Sequence, residues 1–220
     1  MQIMNKKMGW NFLKLAITAF GGLGIELLYA FFLEPFLFGA QMESWSNGQS
    51  IAHWILTCAT WGMVSIWLIQ SAKKNYSLDI LSVREALQTW QWIAVLTLLA
   101  ISVIIQYFDW GGLKIVMEFQ HLDAIMFLFQ YLYYAFETVL FMMIIVFGQK
   151  ACEIWLGHEK IPYGGILCGL TWGLGHILSK GSLIIGLHGF LWGLLLGVAY
   201  LVVNKDIRKA WIVMFLIFVL

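Results

Sequence analysis

FETVLFMMIIVFGQK (136–150), GGILCGLTWGLGHIL (164–178) and GSLIIGLHGFLWGLLLGVAY (181–200) follow one another with only a short charged loop between the first two. Each run is apolar and carries one ionisable side chain: Glu137, His176 and His188 in turn. A charge in hydrocarbon is expensive, so an ionisable residue inside a membrane helix is a candidate functional residue by default. Glycines crowd the second and third runs, with Gly189, Gly193 and Gly197 forming a double GxxxG pattern. Small residues at that spacing let membrane helices approach closely, so these runs are expected to form the tight core of a helix bundle.

Outward from this stretch the chain keeps the same character. Of 220 residues, 61% are hydrophobic and only 11% charged, and the mean hydropathy is +0.83. Soluble domains carry about 25% charged residues. The class is therefore an all-α polytopic membrane bundle, with residues 1–220 as a single integral-membrane domain. A net charge of +1 points to neither a nucleic-acid partner nor a strongly acidic substrate. Cys58, Cys152 and Cys168 lie in or beside apolar runs, and their number and spacing suit neither a disulfide framework nor a zinc ribbon. The N-terminal MQIMNKKMGWNFLK is basic, but the apolar run after it is too long for a signal core and reads as a retained helix.

A span needs about 20 mostly apolar residues. Six such segments are expected, at 15–38, 51–70, 90–107, 124–147, 162–178 and 183–203. The apolar segment 210–220 is about half that length and reads as a half-span, a tilted interfacial segment or a helix that ends within the membrane. If all six segments cross, Lys114 and Lys180 alone among the 13 basic residues fall on the far side. That asymmetry orients the N-terminus to the cytoplasm, in a plasma membrane. No internal repeat relates the first three segments to the next three.

Gln130, Tyr134, Glu137 and Phe141 recur at helical spacing and share one face, which should point into the bundle. Cys168, Trp172, Gly175, His176 and Ser179 form a second stripe. At about 1.5 Å per residue, His176 and His188 match in depth near the non-cytoplasmic side, and Glu137 lies one or two turns deeper. Two imidazoles and a carboxylate suit either a zinc site or a Glu–His pair that activates water. The plainer alternatives are a protonated or tyrosine-paired Glu137 and a His188 that bonds between helices. HExxH, GxSxG and membrane aspartyl patterns are all missing from the sequence. Glu34 is expected to snorkel to the outer surface. Glu26 is an intramembrane carboxylate with no partner evident, and His53, His121 and His158 read as interfacial.

With these residues in place, the region 124–220 resembles the CAAX-processing and bacteriocin-processing (CPBP) intramembrane proteases. Their motifs are EExxxR, FxxxH and HxxxN on successive helices. ETVLFM from Glu137 keeps the first acid, with Thr138 and Met142 in place of the second acid and the arginine. WGLGH supplies Trp172 for the aromatic and His176 for the histidine. The third motif would fall near Val213 and Ile217, neither of which is histidine or asparagine.

The resemblance implies an intramembrane endopeptidase in which Glu137 is the base, His176 its partner and His188 a ligand or oxyanion donor. Its substrate would be a membrane-associated peptide or protein, and a divalent metal such as zinc is a possible cofactor. The departures imply the alternative, a pseudoprotease acting as scaffold, regulator or bacteriocin-immunity-like binding protein. Deleting oxyanion donors alone costs on the order of 10²–10³ in rate. A small transporter is a third class, disfavoured by the scarcity of helix-breaking prolines.

Overall fold

The structure is a computed structural model that describes residues 2–82 and 84–220, with side chains from Lys6 onward. It is all-helical, with no strand among the described residues. The elements are α1 (Gln2–Leu28), α2 (Glu34–Phe38), α3 (Asn47–Tyr76), α4 (Thr89–Trp110), α5 (Lys114–His121), α6 (Ala124–Leu156), α7 (Tyr163–Cys168), α8 (Leu174–Lys180), α9 (Leu183–Val202) and α10 (Ile207–Val219). A π-helical turn at Tyr29–Leu33 joins α1 to α2, and another at Gly169–Gly173 joins α7 to α8.

Five helices are long and apolar enough to cross a membrane: Lys6–Phe38, Asn47–Tyr76, Thr89–Trp110, Ala124–Leu156 and Leu183–Val202. The sixth expected span, 162–178, forms a helical run but is not among them. Glycine, threonine, tryptophan and histidine dilute its apolar content. The surface fits a lipid solvent. Phe36, Phe108, Leu178 and Ile184 are each at least 79% exposed, and so much apolar surface in water would drive association.

The axis of the bundle is α6. Every residue from Leu140 to Phe147 is buried, the signature of a helix surrounded on all sides. Its neighbours are α1, α3, α7 and α10, so the core extends well beyond the glycine-rich runs. Those runs do pack as their spacing predicts. Gly165 faces Gly193 and Gly197, Gly169 faces Gly193, and Gly173 faces Gly189. A Cβ on Gly165 would lie 2.7 Å from the Gly193 carbonyl oxygen, and one on Gly189 would lie 2.7 Å from that of Gly173. The two backbones touch, and no other residue fits between them.

Polar contacts gather the basic loops at one end. Trp155 Nε1 donates to the Lys6 carbonyl at 3.1 Å, and Lys205 Nζ pairs with Glu153 at 2.6 Å. Asp206 caps α10 by accepting from the N–H groups of Arg208 and Lys209. It also accepts from the Arg84 N–H at 3.3 Å and pairs with Lys209 Nζ at 3.1 Å. Arg208 and Lys209 donate onward to the carbonyls of Leu81 and Glu85. At the opposite end Asn47 Nδ2 donates to Asp123, the N-cap of α6, at 2.9 Å.

The terminal apolar segment is a 13-residue helix, α10, buried against α4, α6 and α9. At 1.5 Å per residue it covers about 20 Å of a hydrocarbon core roughly 30 Å thick. Its last turn packs inside the bundle. Its last carbonyls are met there: Gln106 Nε2 donates to Ile217 at 2.9 Å and Lys114 Nζ to Phe218 at 2.8 Å.

Two outcomes follow for purified protein in detergent. Gly193→Ala forces a Cβ into the Gly169 backbone and is expected to cost about 1–3 kcal/mol. Gly24→Ala, where nothing lies within 4 Å, is expected to leave the melting temperature unchanged. For Asp206, burial alone would raise the carboxyl pKa. The hydrogen bonds from Lys209 and Arg84 outweigh burial and hold it below the usual range. A depressed folded pKa adds stability that is present above the unfolded value of about 4 and is lost as pH falls through the folded one. Asp206→Ala is therefore expected to cost about 1 kcal/mol near neutrality, with the gap to wild type narrowing in melts taken below about pH 4.

Candidate functional site

Trp172 sits in the π turn Gly169–Gly173, on the helix that faces α6. Its indole Nε1 donates to Glu137 Oε1 at 2.9 Å. Its carbonyl accepts from His176 Nδ1 at 2.8 Å, and the two rings meet edge to face with centroids 4.9 Å apart. A carbonyl only accepts, so Nδ1 carries the proton and a neutral His176 keeps its lone pair on Nε2. Glu137 and His176 thus meet the same residue at different points, the acid at the indole and the imidazole at the main chain. Phe141 and Phe218 pack on the indole at 5.1 and 5.9 Å and fix its plane.

On one side of Trp172 lies a cavity of about 200 Å³. His176 and His188 both line it, as their matched depth predicts, together with Asp109, Lys114 and Ile217. Glu137 is not among the lining residues. His188 Nδ1 lies 3.5 Å from Asp109 Oδ2, so its closest ionic partner is on α4. The two residues at the place of the third motif, Val213 and Ile217, are buried and apolar, and Ile217 lines the cavity. A catalytic zinc needs three protein donors at about 2.0–2.2 Å around one point. Among the described residues no three His, Cys, Asp or Glu side chains are so arranged. Among the described residues the donors do not fit a metal centre.

Lys114 is the cation of this cavity. It is buried at 6% exposure and lies 4.6 and 4.8 Å from the ring centroids of Phe218 and Tyr134. Its helix, α5, is a short amphipathic element in what the sequence presents as a loop. The same helix brings in Glu118, which is 5% exposed. Glu118 accepts from Tyr131, Tyr134 and Gln130 at 2.9, 2.8 and 3.1 Å. The polar face expected on α6 therefore exists, but Gln130 and Tyr134 serve Glu118 while Glu137 serves Trp172.

Two further expectations are corrected. Glu34 does not snorkel: it is 1% exposed and bonds His53 Nδ1 at 2.7 Å. His53 is likewise enclosed by protein. It is 5% exposed, with Glu26 at 3.5 Å from its other ring nitrogen. Glu26 has a further partner, Tyr133, whose hydroxyl donates to it at 2.7 Å. The reason is helical phase. In an unbroken α-helix, residues eight apart differ by about 80°. The wider π turn at Tyr29–Leu33 absorbs one residue, which brings Glu26 and Glu34 onto nearly one face, two turns apart. His121 and His158 are exposed.

Comparison with protein-family models, with curated proteins and with solved structures gives no match for this chain. The functional reading rests on the geometry.

Lys114→Met keeps the stem and removes the donor, leaving the Phe218 carbonyl unpaired. The expected cost is about 1–3 kcal/mol, read as a fall in melting temperature. It should exceed that of Lys180→Met, whose side chain is exposed.

Proposed function

We propose that this chain is a CPBP-type membrane bundle that has kept the architecture of an intramembrane protease site without its hydrolytic apparatus. It binds a membrane-associated peptide or protein at the cavity beside Trp172. One observation carries this reading: the Glu137 carboxylate is held by the Trp172 indole and is not among the cavity-lining groups, whereas His176 and His188 are. A general base must lie within about 2.6–3.2 Å of the proton it takes, directly or through one water. Here the indole N–H takes one of the carboxylate oxygens. The apolar Val213 and Ile217 in the third-motif positions support the same reading. A cavity that offers imidazoles, a carboxylate, an ammonium and three tryptophans suits binding a polar backbone between apolar walls.

In this reading 163–180 crosses the bilayer as a sixth span, its weak hydropathy offset by the glycine-to-glycine contact with α9. The N-terminus is cytoplasmic, in a plasma membrane. The support is that the loops carrying most of the basic residues gather at one end of the bundle.

A second reading is favoured by the shared cavity of His176 and His188: an endopeptidase in which these two imidazoles, with Asp109 orienting His188, work without Glu137. Profiling protein termini in the host membrane separates the two. Wild type, Glu137→Gln and His176→Ala are expected to give the same set of termini. A terminus present in wild type and lost in His176→Ala alone establishes the second reading, and one lost in both variants establishes the intact Glu–His protease.

A further inference from the structure

The polar cluster on the other side of Tyr134 is used by neither reading. Glu34, His53 and Glu26 form a row with the imidazole in the middle: Glu34 on Nδ1 at 2.7 Å and Glu26 near Nε2 at 3.5 Å. Among the described residues no lysine or arginine forms an ion pair with either acid. Two carboxylates against one imidazolium leave one negative charge over. Glu34 is closed in, 1% exposed, and its second oxygen is buried without a hydrogen-bond partner. Glu26 is the open end. Its side chain is 26% exposed and borders a cavity of about 250 Å³, which His53 also lines.

The walls of that cavity are chosen for a cation. Trp45, Trp54, Tyr133 and Tyr134 present aromatic rings, and Ser50 and Gln130 add polar atoms. Aromatic faces attract ammonium groups, more strongly where water is excluded. A carboxylate adds a charge-assisted hydrogen bond. The surrounding charges do not compete. Glu118 is taken by Tyr131, Tyr134 and Gln130, Glu137 by Trp172, and the Lys114 ammonium by the Phe218 carbonyl. The volume lies just below the roughly 300–1,000 Å³ of drug-sized pockets, so the occupant is small.

We propose that this cavity is a binding site for a primary ammonium group, which pairs with the Glu26 carboxylate among the aromatic walls. The ammonium can belong to a free amine or to the headgroup of an aminophospholipid, since both present the same group.

Benzylamine is the probe, with benzyl alcohol as its neutral analogue, titrated calorimetrically into the full chain in phosphatidylcholine nanodiscs. Benzylamine is expected to bind at least tenfold more tightly than benzyl alcohol. Glu26→Gln is expected to lower benzylamine affinity at least tenfold, and Glu26→Asp to restore most of it. That pair separates loss of charge from loss of fold. Nanodiscs containing phosphatidylethanolamine assign the source: competition with benzylamine supports a lipid headgroup, and unchanged affinity supports a soluble amine. Equal affinity for alcohol and amine, or benzylamine affinity unchanged in Glu26→Gln, overturns the proposal.

Discussion

An apolar interior offers a carbonyl nothing to bond to, and α10 turns the carbonyls of Ile217 and Phe218 toward side chains of neighbouring helices. Each polar group left bare in such an interior costs several kcal/mol. Gln106 from α4 and Lys114 from α5 supply the donors. That requirement has consequences beyond the helix end. Lys114 needs a route to the interior, which the short helix α5 provides. The same helix then delivers Glu118, whose carboxylate needs donors in turn and takes three from α6. Two carbonyls of α10 thus draw in much of the polar order between α4, α5 and α6.

The glycine pairs supply what the polar contacts cannot. Between lipid-solvated helices there is little hydrophobic gain from association, so close packing must do the work. Three glycines on each of two neighbouring helical runs bring the backbones into contact. With α7, α8 and α9 locked together, Trp172 and His176 hold fixed positions against α6. Trp172 is then both wall and donor: it lines the cavity and engages Glu137. The acid and the imidazole converge on this residue, and the chemistry open to them follows from its position between them.

Much of this was legible in the residues. The apolar segments foretold the long helices, and the fourfold glycine spacing foretold the seam. Helix depth brought His176 and His188 to one cavity. Four things escaped. The helices Asn47–Tyr76 and Ala124–Leu156 outrun the segments 51–70 and 124–147, because hydropathy marks only the lipid-facing portion and a helix continues wherever protein supports it. The eight residues of α5 are too few and too mixed to stand out from a loop. The Glu26–His53–Glu34 row was hidden by assuming 3.6 residues per turn throughout, which puts the two acids on different faces. The Trp172 to Glu137 bond was hidden in the same way, since it departs from a π turn that no residue pattern announces.

Those two wider turns have a consequence for how the chain tolerates change. Each stores one residue more than a regular helix of the same rise would hold. Deleting a residue from 29–33 would restore an even ladder, yet everything beyond would swing by about 100° and Glu34 would leave His53. Meanwhile Phe31 and Phe32, inside that tract, are 55% and 72% exposed and face no protein partner that fixes their identity. In that tract the number of residues is held more tightly than their kind: lipid accepts many apolar substitutions there, and the phase of the helix accepts no change in length.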